Sequence, residues 1–142
     1  MLNYLYTMAQ TYTPTAEMAD NARMALKVRE SKPDSQKGGT IIGLGRARDI
    51  VARRPMSEET VRRMKAYFDR HEVDKQGSTW NDKGKGWQAW GLWGGDAGRA
   101  WANRIVSMLN KEEDRHMGET HYDDISDDAD YKSYMYRKYL KL

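Results

Sequence analysis

The chain has no cysteine, three prolines and a single phenylalanine. Without cysteine there is no disulfide framework and no thiolate metal site, which suits a reducing compartment. No apolar run approaches the ~18 residues that would cross a bilayer. The first ten residues, MLNYLYTMAQ, lack the basic start and long apolar stretch of a secretory signal. A soluble protein with no membrane partner is therefore expected. Aliphatic side chains are also scarce, since Leu, Ile, Val and Phe together number 19 of 142 residues. Such a shortage raises intrinsic disorder as a possibility. The high net charge that accompanies disorder is missing, however, because the formal charge is only +3.

What the chain does have is nine Met, nine Tyr and five Trp. Each aromatic side chain buries about 150–250 Å². An ordered core built from rings and thioethers is the expectation. The length fits one compact domain with tails: an arm over 1–12, a helical core over 13–110, and an acidic linker with a C-terminal Tyr-rich helix over 111–142. Thr13-Pro14 suits an N-cap followed by proline at the first helical position, and Met18, Ala22, Ala25, Leu26 and Arg29 keep helical spacing over 14–30. Thr40 would cap a second helix over 43–53, with Ile42, Ala47, Ile50 and Val51 on one face. Arg53-Arg54-Pro55 ends it. Ser57 caps a third helix over 58–71, whose first turn carries Glu58 and Glu59 and whose apolar stripe is Val61, Met64, Tyr67, Phe68 and His71. A short fourth helix begins at Trp87 and stops at Gly94-Gly95. Asp96 would cap a fifth over 97–110, with Ala97, Trp101, Ile105 and Leu109 inside, and a last helix falls at 128–140. No strand pattern and no repeat is visible. The fold class expected is all-α, a compact bundle of about four to six short helices with extended termini.

Charge is unevenly distributed. Arg46, Arg48, Arg53, Arg54, Arg62, Arg63, Lys65 and Arg70 face only Asp49, Glu58, Glu59 and Asp69 within 46–70. Within 112–130 nine acidic residues are opposed by Arg115 alone. A basic middle invites a polyanion, or the acidic segment folds back onto it. The helix pair around Pro55 superficially suits a helix-turn-helix, whose second helix reads base edges with its N-terminal residues. Glu58 and Glu59 at that end would repel phosphates. A nucleic-acid interface would therefore use Arg46, Arg48, Arg53, Arg54, Arg62, Arg63 and Lys65 on the backbone; otherwise this is a solvated face.

Four of the tryptophans lie in GWQAWGLWGGDAGRAWA, residues 86–102. On a helix Trp87, Trp90 and Trp93 fall within roughly a 120° arc. Beside Lys83, Lys85 and Arg99 they resemble the stacking platforms of single-strand binders, but a chain so poor in aliphatics needs them inside. Core is the stronger reading, with Trp80 the ring expected to be exposed. Enzyme signals are weak. His71, Glu72 and Asp74 lie close together, and His116 and His121 lie near Asp123 and Asp124, yet the spacing on a glycine-containing loop matches no ligand pattern. Gly43 and Gly45 lack the strand and third glycine of a nucleotide loop. No catalytic residue, metal or cofactor is assigned.

The blocks GGTIIGLGRARDI, MSEETVRRMKAYFDRHEVDK and GKGWQAWGLWGGDAGRAWA together resemble a small module of tailed-bacteriophage proteins, found alone or beside domains similar to head-maturation proteases. The likeness spans about residues 16–106. It implies a viral source, with host cytoplasm or virion as the location. The protease-type domain is absent, so no catalytic residue carries over. The expected function is a non-catalytic interaction protein, a head-associated structural or assembly accessory, with nucleic-acid binding as the alternative. Partners are other phage proteins, a second copy, or DNA. Tyrosine is enriched at interfaces, and the tyrosine-rich ends, with Tyr4, Tyr6, Tyr12, Tyr134, Tyr136 and Tyr139, are the expected contact residues.

Overall fold

The structure, a computed structural model, describes residues 10–123. Tyr4, Tyr6, Tyr134, Tyr136, Tyr139 and the helix expected over 128–140 lie outside these residues. Most of the chain is helical. Among the described residues α1 is Ala16–Ser31, α2 Ile41–Val51, α3 Glu58–His71, α4 Lys85–Leu92 and α5 Gly95–Asp123. Short 3₁₀ turns occupy Asp34–Gln36 and Glu72–Gln76. The chain divides after Val106 into two compact units, and α5 carries the backbone from the first into the second.

One departure from the all-helical expectation is a two-residue pairing. β1, Thr11–Tyr12, runs antiparallel to β2, Met56–Ser57, with Tyr12 opposite Met56. Tyr12 is half-buried and packs on the core. It is therefore integral to the first unit and not part of a free arm. Its backbone needs partners, and Met56 and Ser57 ahead of α3 supply them.

The N-caps explain where the helices begin. The α1 cap is Thr15, whose hydroxyl accepts from Met18 N at 3.2 Å. Thr13 is displaced from that role because Pro14 is fully buried outside the helix and its carbonyl accepts from Arg53 Nε at 2.8 Å. Thr40 caps α2 through Gly43 N at 3.1 Å, and Ser57 caps α3 through Thr60 N at 3.2 Å. Each cap satisfies one of the otherwise orphaned amides of a first turn. The inner face of α2 is Gly43, Ala47 and Ile50. Ile42, expected there, is one residue off that stripe and 68% exposed, and Ile41 is 89% exposed.

α5 extends well beyond the expected end at 110. Residues 111–117, KEEDRHM, contain neither Gly nor Pro, and Lys, Glu, Arg and Met all propagate a helix well. His116 and His121 consequently sit on a helix and not a loop.

The core of the first unit is the ring-and-thioether core that composition demands. Met18, Ala22 and Ala25 of α1, Ala47 and Ile50 of α2, Val61, Met64, Tyr67 and Phe68 of α3, and Trp90, Leu92 and Trp101 form one cluster. Phe68 is its centre, edge-on to Trp90 at 4.8 Å and to Tyr67 at 5.3 Å between ring centroids. The alanine face of α1 lets α4 come close. A Cβ on Gly91 would lie 2.6 Å from Ala25 Cβ, so only glycine permits this approach. Beneath α4, the fully buried Gln88 holds two loops. Its Oε1 accepts from Gly38 N at 2.7 Å, while Nε2 donates to Gln36 O at 3.1 Å and to Lys83 O at 3.0 Å.

Candidate functional site

Two regions drew attention in the sequence, the basic helices and the tryptophans. The structure treats them differently. Along α3, Arg62 lies 3.2 Å from Glu58, Arg63 pairs with Glu59, and Lys65 lies 2.8 Å from Asp69. Beyond the end of α2, Arg54 reaches Asp49 at 2.7 Å. Arg53 is spent on Pro14 O. The carboxylates that meet these cations come from the same two helices. Arg46 packs its guanidinium over Trp93, 5.5 Å from the ring centroid, with Asp49 at 4.0 Å. Burial, assisted by the neighbouring Arg63, pulls its pKa below the usual arginine value against the effect of Asp49. Arg48 is exposed and makes no ion pair among the described residues. The result is a surface of alternating sign. Pairs of this kind stabilise an isolated helix by only about 0.3–0.5 kcal/mol, but they leave no uninterrupted positive stripe.

The tryptophans divide between core and surface. Trp90 and Trp101 are buried. Trp93 is half-buried and stacks flat on Tyr67 at 4.4 Å and 5°, with His71 on Tyr67 at 4.6 Å. Trp80, expected to be exposed, is half-buried and packs edge-on to Trp90 at 6.1 Å and 75°. The loop that carries it is polar in sequence but lies across the α4 rings. Trp87 is half-buried, with Lys83 Nζ 5.4 Å from its ring centroid.

Trp80, Trp87 and Trp90 line a cleft of about 420 Å³ within the first unit. Glu17, Asn21 and Met24 of α1 form a further wall, and Lys75 and Asp96 complete it. The backbone that frames it is unusual: Gly94 and Gly95 have φ of +106° and +65°, the left-handed region where glycine carries no steric penalty. Asn21 Nδ2 donates to Gly94 O at 2.9 Å, tying α1 to this turn. Because α5 already begins at Gly95, Asp96 lies inside its first turn and is not the cap expected of it. Its Oδ1 instead accepts from Trp90 Nε1 at 2.9 Å and from Lys75 Nζ at 2.8 Å. The Lys75 ammonium holds this carboxyl below the usual carboxylate range, against the opposing effect of partial burial and with help from the Trp90 N–H. Lys75 Nζ also stands 4.8 Å from the Trp90 centroid, and Arg99, bound bidentately to Glu72 at 3.0 and 2.8 Å, lies at 5.9 Å.

Of the acidic and histidine candidates, His71, Glu72 and Asp74 do not converge on one point. His71 Nδ1 meets Asp74 Oδ2 at 3.1 Å, while Glu72 belongs to Arg99. Among the described residues no group of three potential ligands is placed to hold a metal ion. The sequence reading missed Glu17, Asn21 and Met24. They lie on the outer side of the α1 stripe, and only the packing of α4 and its flanking turns against α1 turns them into a wall. Compared with known proteins, the chain matches no family model, no curated protein and no solved structure.

Proposed function

We propose that this chain is a non-catalytic interaction protein that seats part of a partner protein in the tryptophan-lined cleft. The observation that carries this reading is the cleft wall itself: the indoles of Trp80, Trp87 and Trp90 beside Met24, which is 50% exposed, with Glu17, Asn21, Lys75 and Asp96 as its polar groups. Recognition surfaces are enriched in aromatic side chains and Met. The resemblance of the sequence blocks to a tailed-bacteriophage module makes a head-associated structural or assembly role the setting for that interaction. The partner would be another phage protein or a second copy, met in host cytoplasm or in the virion.

The test has two arms. A photoreactive amino acid at position 24 of the full chain, in infected cells, is expected to cross-link to one head or assembly protein. Mass spectrometry of purified heads and assembly intermediates is expected to find the chain there. Absence from heads and intermediates, with no cross-link, overturns the proposal. The nucleic-acid alternative, through Arg46, Arg48, Arg53, Arg54, Arg62, Arg63 and Lys65, loses support from the local engagement of most of its cations. A titration of DNA across a salt series decides it, because phosphate contacts give a steep negative dependence of log affinity on log salt.

A further inference from the structure

We infer that the cleft is built for a cationic side chain, lysine or arginine, carried on an apolar stretch of the partner. This assignment rests on the reading of the cleft as a partner site and specifies what the site selects. The reason lies in the charge that the lining leaves over. Lys75 and Asp96 neutralise each other at 2.8 Å. Glu17 is exposed and makes no ion pair among the described residues. It stands at the first turn of α1, where the helix dipole offsets part of its charge. The wall therefore keeps one carboxylate without a counter-ion beside three indoles.

Indole rings attract cations through their quadrupole, most strongly where water is excluded. This chain already shows the tendency, since Lys75 and Arg99 gather at Trp90 and Lys83 at Trp87. Among the described residues Trp80 carries no such cation. A long basic side chain is amphipathic, with an apolar stem and a charged head. Its stem suits Trp80, Trp87 and Met24, and its head suits Glu17. Other occupants fit worse. A nucleotide or acidic peptide would bring negative charge against Glu17, and a purely apolar segment would cover a carboxylate with nothing to bind it.

The experiment uses the full chain and three peptides, Ac-Ala-Leu-X-Leu-Ala-NH₂, with X as Arg, Gln or Glu. Indole N–H resonances of Trp80 and Trp87 report occupancy. The Arg peptide is expected to shift both, at least about tenfold more tightly than the Gln peptide, an interval that one ion pair with a cation–aromatic contact supplies. In Glu17→Gln the interval between the two peptides should shrink to what the cation–aromatic contact alone supplies, with the chain still folded. Met24→Ala should weaken both peptides together. Equal binding of Arg and Gln peptides, an Arg peptide indifferent to Glu17→Gln, or no shift at about 10 mM peptide overturns the inference. If the peptides fail while cross-links from position 24 persist, the cation assignment falls and the partner site stands. If both fail, both readings fall.

Discussion

Replacing Gln88 is the sharpest probe of how this domain is held together. The side chain is fully buried and uses all of the hydrogen bonds described above. Gln88→Leu keeps the volume and removes the partners. Gly38 is buried, and its amide would then be left without an acceptor, which costs about 1–3 kcal/mol. Gln36 and Lys83 are exposed residues, so their carbonyls can turn to water and contribute about 1 kcal/mol or less each. The net loss expected is about 2–4 kcal/mol. All five tryptophans lie before Val106, so fluorescence in urea reports the first unit alone. The midpoint should fall with the slope unchanged. A midpoint equivalent to a loss under about 0.5 kcal/mol would refute the reasoning, because it would mean the two loops do not depend on this residue. Gln88→Glu discriminates further. It places a carboxylate oxygen against two carbonyls, so it should be less stable than Gln88→Leu at neutral pH and recover as the pH falls.

Gly91→Ala gains helix propensity of about 1 kcal/mol but puts a methyl 2.6 Å from Ala25 Cβ; a net loss of about 1–3 kcal/mol is expected in urea unfolding, with Ala25→Gly restoring part of it in a double-mutant cycle. Tyr67→Phe should be neutral or stabilising by up to ~1 kcal/mol, because the buried hydroxyl has no hydrogen-bond partner among the described residues; a clear loss of stability would reveal one. Burial also pushes this phenol well above its ordinary value, so its absorbance should not titrate before alkaline unfolding. Asp96 is held below the ordinary carboxylate range in the folded chain. Its contribution is therefore complete above about pH 4 and is lost as the pH falls through the folded value. The melting temperature of Asp96→Asn should show a weaker acid dependence than that of the parent chain, and identical acid limbs would contradict the Lys75–Asp96 pairing.

Much of the helical frame was legible because its signals are local. Ser57, Thr40 and the stripe through Val61, Met64, Tyr67 and Phe68 specify caps and a buried face within a few residues of one another. The scarcity of aliphatics determined that rings would fill the core, and Phe68, Trp90 and Trp101 do so. The misreadings have one physical origin. Thr13 looks like a cap until Arg53 claims the carbonyl of Pro14. Asp96 looks like a cap until Trp90 and Lys75 claim its oxygen. Tyr12 looks like part of an arm until Met56 pairs with its backbone. In each case the competing partner lies far along the chain. The cleft belongs to the same class. Its walls come from α1, the segment through Lys75 and Trp80, α4 and the start of α5. Local sequence determined each element, but the contact between Gly91 and Ala25 sets how close those walls stand, and that distance exists only in the folded chain.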